Sequence, residues 1–171
     1  MTEINDKSNI IRFKKYRRAA KYYEKPVAIV LHHTVSGSIG GTERYLADKT
    51  VYGYHFMIDK SGNICQYVDP GKYSCNHAKG ANSYSIGVSF VCGGQFGPVN
   101  KEQIESYVFL AKSLSKRYPS ILYQTGHKDV SPGRKIDPTW SGEPRNSVNW
   151  SIHKKQMEKL ADITGIEYRG H

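Results

Sequence analysis

Two short stretches of the 171-residue chain concentrate side chains that can do chemistry. His32 and His33 end the apolar run "VAIVLHHT" (27–34), and "GHKDVSPGRKIDP" (126–138) gathers His127, Lys135 and Asp137. The Gly and Pro punctuation of the second stretch predicts a loop with no helix in it. Both clusters follow apolar runs, and strand ends are where α/β folds collect their sites. A catalytic zinc centre takes three protein ligands from His, Asp, Glu or Cys and leaves a fourth position for water. One strand-end histidine, with a loop histidine and aspartate, supplies that set. Spacing alone also admits a plainer reading, in which the strand-end histidines are hydrogen-bonded structural residues.

The elements that must position these residues follow from periodicity. "VAIVLHHT" and "SIGVSFVC" (85–92) are continuous apolar runs rich in β-branched residues, as buried strands require. "YGYHFMIDKSGNICQYV" (52–68) predicts a hairpin turning at "DKSGN", and "ILYQTGH" (121–127) a last short strand. Residues 42–49 suit a short helix capped by Thr42. Asn100 and Gln103 form a capping pattern ahead of a helix reaching about residue 117, with Ile104, Val108, Ala111 and Leu114 at helical spacing. A closing helix spans 148–165, capped at Ser151 and stopped at Gly165. In "IIRFKKYRRAAKYYEK" (10–25), Phe13, Tyr16, Ala20 and Tyr23 share one helical face opposite Lys14, Arg18, Lys21 and Lys25, and Pro26 ends the run. Such a helix either docks by its aromatic stripe or seeks an anionic surface. The alternation predicts an α/β fold, a central mixed β-sheet flanked by helices. Residues 1–25 read as a basic amphipathic extension and 26–171 as the catalytic domain, with loop 131–147 lying inside that domain.

The net charge is +10, and residues 1–25 contribute eight Lys/Arg against three Asp/Glu. That excess implies an anionic partner or environment. Nucleic acid is the generic candidate, but no nucleic-acid motif accompanies the charge and none is expected as a partner. Cys65, Cys75 and Cys92 are odd in number and lack a C-x-x-C pair, which excludes a cysteine-rich zinc cage; reduced, partly buried thiols are expected, with a Cys65–Cys75 bridge left open. "VAIVL" is too short for a signal core or a membrane span. Synthesis in a cytoplasm, followed by release, is therefore the expected route to any target outside.

Four blocks, "IVLHHT", "GYHFMIDKSGNI", "NHAKGANSYSIGVSF" and "GHKDVSPGRKIDP", occur in the order and approximate spacing of zinc-dependent N-acetylmuramoyl-L-alanine amidases. The chain resembles that family over roughly residues 26–165. The family includes phage lysins and shares its fold with peptidoglycan recognition proteins. The resemblance implies a Zn2+ site made by His32, His127 and Asp137. Some members place cysteine at the third position; aspartate gives a harder, all N/O site that zinc accepts. Tyr54 matches the tyrosine that holds the zinc-bound water in many members, and from the hairpin it would orient that water and take part in its deprotonation. Lys135 matches the lysine beside the substrate carbonyl, and Pro132 and Gly133 supply the bend that brings it there. His33 becomes a neighbour of the metal in the cleft, Arg134 a loop charge beside Lys135, and His77, Lys79 and Asn82 a segment lining the substrate groove. His55 and His153 are assigned structural places, the first alternating away from Tyr54 and the second on a polar helix face.

The implied function is cleavage of the amide between N-acetylmuramic acid and L-alanine in peptidoglycan, as a bacteriolytic phage endolysin acting as a monomer. The basic N-terminal helix would then touch the anionic envelope. A cytoplasmic recycling amidase for soluble anhydro-muropeptides is the alternative; "PGRKxDP" looks similar to that subgroup, whereas Tyr54 departs from its carboxylate. An interbacterial amidase effector is a further variant. A non-catalytic peptidoglycan recognition module forms a different class, and such modules typically lack a zinc ligand that this chain keeps.

Overall fold

The computed structural model describes residues 12–13, 20–21, 25–47 and 53–171. Its order is β1 (Arg12–Phe13), β2 (Ala20–Lys21), β3 (Ala28–His33), α1 (Ile39–Ala47), β4 (Phe56–Ile58), β5 (Ile64–Gln66), β6 (Tyr73–Ser74) and β7 (Ser85–Phe90). Then come a 3-10 turn (Gly94–Phe96), α2 (Lys101–Arg117), β8 (Tyr123–Gly126), α3 (His127–Val130), α4 (Trp150–Thr164) and β9 (Glu167–Tyr168). Seven strands form one mixed sheet in the order β1-β5-β4-β7-β3-β8-β9, and β2 pairs with β6 in a second, two-stranded one. All pairs of the large sheet are parallel except the β4–β5 hairpin. The expected α/β architecture is thus the observed one.

The two uninterrupted apolar runs became β3 and β7, the central pair, buried along their whole length. Parallel strands covered on both faces need apolar side chains on both, so such runs show no alternation. Ile29 and Leu31 pack with Tyr107, Leu110, Ala111 and Leu114 of α2 and Met157 and Leu160 of α4. Val30 packs on the opposite face with Ala78 and Ala81. Because successive strand residues point to opposite faces, His32 projects on the Val30 side. Helix α2 starts at the predicted cap: Asn100 Oδ1 accepts the Gln103 N–H and Gln103 Oε1 accepts the Asn100 N–H. Gln103 Nε2 also donates to the Ile58 carbonyl, tying the helix to the end of β4.

Several expectations are corrected. The helix over 10–25 is not present at Arg12–Phe13 or Ala20–Lys21, whose backbones pair with β5 and β6; the rest of that segment lies outside the described residues. Helix α1 begins three residues before Thr42, with the Ser38 hydroxyl accepting the Gly41 N–H at its start; residues 48–49, the end of the predicted helix, lie outside the described residues. Asn149, not Ser151, caps α4 through the Ile152 N–H, while Gly165 ends it in the left-handed conformation as expected. The 126–138 stretch does hold a helical turn, α3, directly after β8. Cys65, Cys75 and Cys92 are all buried, and the Cys65–Cys75 bridge left open is not formed. Among the described residues no helix is long and apolar enough to cross a membrane.

His55 shows what the buried interior demands of a polar ring. Its Nδ1 accepts the Gly87 N–H and its Nε2 donates to the Tyr73 carbonyl, a structural place as expected. Burial pushes the ring down to about 4, from about 6.5 in an unfolded chain. The unfolded state therefore binds the extra proton between those values. Stability from the neutral ring is complete above pH ~6.5 and is lost as pH falls toward 4, by about 3 kcal/mol in all. Urea unfolding of the metal-free protein from pH 7 to 4 should be measurably less pH-dependent in His55→Asn. Equal slopes in the two proteins would contradict this.

Candidate metal centre

Register brings the two distant histidines together. Strands β3 and β8 are parallel neighbours with Leu31 opposite Gly126, so His32 and His127 occupy the next rung. Loop 131–137 then turns back over that rung. Ser131 O accepts the N–H groups of Arg134 and Lys135, and Gly133 takes the positive φ the bend requires. The Lys128 N–H holds the Asp137 carbonyl at 2.9 Å. His32 Nδ1 lies 3.1 Å from both His127 Nδ1 and Asp137 Oδ2, and His127 Nδ1 lies 3.0 Å from the same oxygen. All three side chains are buried.

This is a donor set that fits a cation. Three ligand atoms at ~2.0–2.2 Å from one tetrahedral ion stand roughly 3.3–3.6 Å apart, and the triangle here is slightly tighter. Burial pushes His32 down to about 4, the nearby Asp137 offsetting only part of it, so the ring is neutral at neutral pH as a ligand must be. Burial alone would raise Asp137, yet the contacts from His127 and His32 outweigh it and hold the carboxyl well below its ordinary range. Two imidazole nitrogens and a carboxylate oxygen thus converge with one negative charge among them and only protons or a cation to separate them.

A pocket of about 490 Å³ opens over the triad, lined by His127 and Asp137 together with Tyr54, Lys135, Arg134 and His33. Tyr54 lies in the extended stretch before β4, not on the strand, and its ring sits 5.1 Å from that of His32. Burial and the charge of Asp137 push its phenol well above the ordinary value. It is therefore a hydroxyl donor at neutral pH, suited to orienting water and unsuited to acting as a phenolate base. His33 Nδ1 is buried and has no hydrogen-bond partner among the described residues. An unpaired buried nitrogen costs ~1–3 kcal/mol, and His33 carries it in the wall of the pocket.

The other groove residues are placed differently. Lys79 is exposed and, like Asn82, does not line the pocket. Asn82 Oδ1 instead accepts the N–H groups of His77 and Ala78 and so fixes their turn. His77 borders the pocket, but its ring nitrogens face inward, to His32 and Ser85. Sequence reading missed Asn76, Tyr45 and Val35 on the pocket wall. Val35 has φ 57, unusual for a β-branched residue and of the kind that gathers at ligand sites; no sequence pattern marks it. Also missed was the polar scaffold beneath the triad. His153, expected on a polar face, is fully buried; its Nδ1 accepts from Trp140 Nε1 and its Nε2 donates to Asp129. A Cβ on Gly126 would stand 2.7 Å from that ring, so only glycine lets α4 seat there.

Comparison with known proteins agrees with this geometry. Residues 22–140 match the family model described as N-acetylmuramoyl-L-alanine amidase. The 1,6-anhydro-N-acetylmuramyl-L-alanine amidase AmpD of Haemophilus influenzae is 32% identical over 93 residues, 49% of this chain and 50% of that protein. The chain spans about half the length of the curated relatives it matches. Among solved structures, the endolysin amidase LysCS from Clostridium intestinale superposes with TM-score 0.67 at 23% identity, covering 92% of this chain and 97% of that one. PGRP-SA of Apis mellifera gives 0.58 at 21%, covering 79% and 100%. At these identities the two structures establish the shared fold.

Proposed function

From the premise that this chain belongs to the N-acetylmuramoyl-L-alanine amidase family, we propose that it hydrolyses the amide between N-acetylmuramic acid and L-alanine with the help of zinc. One observation carries the reading: His32, His127 and Asp137 converge, and the last two line a pocket that Tyr54 and Lys135 also line. Those three residues would hold the ion, and their all N/O chemistry suits zinc. When bound, zinc supplies Lewis acidity, polarising a carbonyl and making water nucleophilic near neutral pH.

The chain's own groups supply the rest. The Tyr54 hydroxyl donates a hydrogen bond that orients the attacking water over the amide carbon. The Lys135 ammonium, tethered two residues from Asp137, stabilises the negative charge that develops on the amide oxygen. His33 forms part of the pocket wall that the muropeptide would meet. Lys135→Ala is expected to lower kcat ~10²–10³-fold, as loss of one oxyanion donor does, with zinc content unchanged. A kcat within a few-fold of wild type would remove Lys135 from the chemistry.

Two substrate forms have support. The net charge of +10 suits an anionic wall and the endolysin reading, with action at the cell wall after release. The curated relatives at 32% identity are named for 1,6-anhydro-muropeptides, which favours soluble fragments. Mass analysis of intact sacculi and of soluble anhydro-muropeptides, each digested with and without a chelator, separates them. New L-alanine amino termini from sacculi, lost on chelation, support the endolysin; cleavage of the soluble form alone supports recycling. Binding without cleavage of either would replace catalysis by recognition.

A further inference from the structure

Behind the triad runs a line of buried histidines whose proton positions can be worked out from their last partner. Ser85 Oγ donates to the Ala81 carbonyl at 2.6 Å, which spends its one proton. His77 Nε2 lies 3.3 Å from both the Ser85 carbonyl and that hydroxyl oxygen, so it faces acceptors only and must carry the hydrogen. His77 Nδ1 is then a bare acceptor, and it lies 3.0 Å from His32 Nε2. His32 is then set to donate there, which leaves the lone pair on Nδ1, the atom turned to His127 and Asp137, and the hydrogen that meets the Asp137 oxygen is the one on His127 Nδ1, 3.0 Å away.

The opposite relay would place a hydrogen on His32 Nδ1 toward Asp137 and another on His77 Nδ1. It leaves His77 Nε2 bare against a carbonyl oxygen, unless Ser85 gives up its 2.6 Å bond for a 3.3 Å one. Position is enforced as well as polarity. A Cβ on Gly87 would stand 2.5 Å from His77 Cγ, so the glycine in the middle of β7 makes the room for this ring. The Asn82 side chain clamps the His77 and Ala78 N–H groups from the other side.

We infer that His77 is a positioning residue: anchored on the Ser85 carbonyl, it holds His32 in the Nε2–H tautomer and thereby selects Nδ1 as the metal-ligating atom. The inference rests on the reading of His32 as a ligand. Partners of this type, fixing the tautomer and orientation of a ligating histidine, raise metal affinity 10–100-fold in other sites.

Long-range proton–nitrogen NMR of the metal-free, full-length protein reads the tautomer directly. The expected result is a protonated Nε2 and a bare Nδ1 at His32; the Nδ1–H form overturns the inference, whether or not any variant folds. Zinc competition with a chromophoric chelator supplies the second readout. His77→Leu removes the acceptor and is expected to weaken zinc 10–100-fold. His77→Asn keeps an oxygen near the place of Nδ1 and is expected to recover most of that loss. Equal affinity in all three proteins, or equal loss in both variants, overturns the positioning role. A protein with the expected tautomer that cuts no muropeptide refutes the amidase reading and leaves this one standing.

Discussion

Asp137→Ala is expected to abolish both zinc uptake and muropeptide cleavage while leaving the secondary structure intact. The carboxylate is the one charged member of the triad, and its Oδ2 closes the triangle with both imidazoles at 3.0–3.1 Å. Without it two neutral nitrogens remain, short of the three protein ligands a catalytic zinc site uses. The loss should exceed the ~10–100-fold that removal of an outer hydrogen-bond partner causes. The loop itself should hold, because it is the backbone carbonyl of Asp137 that Lys128 grips. Asp137→Cys provides the internal control: a thiolate at the same place is a competent zinc ligand and should restore binding. Metal analysis after chelation and reloading, with circular dichroism alongside, checks all three proteins. One zinc per chain retained in Asp137→Ala would mean the ion is held somewhere else.

What the sequence disclosed about this centre follows a physical division. Strands β3 and β7 were readable because a parallel strand covered on both faces must be apolar throughout, and the Asn100–Gln103 cap because its partners are three residues apart. That a strand-end histidine could meet His127 and Asp137 was readable as strand ends plus a returning loop, while the choice of His32 over His33 came from the family resemblance. The inward turn of His77 and the burial of His153 were not readable. Each depends on a glycine in another element, Gly87 of β7 and Gly126 of β8, whose missing side chain makes the space. The N-terminal aromatic stripe misled for a related reason: at Arg12–Phe13 and Ala20–Lys21, strand pairing with distant edges overrides local helical period.

The same division hides the residue pair expected to matter most for stability. No sequence pattern marks Lys128 and Glu143, yet both side chains are wholly shielded from solvent, with Lys128 Nζ 2.8 and 3.0 Å from the two Glu143 oxygens. Glu143 also accepts the N–H groups of Trp140 and Asn149, so one carboxylate gathers the whole 137–149 loop. Burial lowers the Lys128 pKa, and Glu143 first, then Asp137 and Asp129, partly restore it. Removing one partner of such a pair strands the other charge and costs ~3–5 kcal/mol. Glu143→Ala is therefore expected to lower the Tm of the metal-free protein by roughly 6–20 °C for a chain of this length. Glu143→Gln, which keeps acceptors but not the charge, should fall between. Since Lys128 follows His127 directly and holds the Asp137 carbonyl, zinc affinity should drop together with Tm. A Glu143→Ala protein that melts within a degree of wild type would show that water reaches this ammonium, and the loop's rigidity would then need another source.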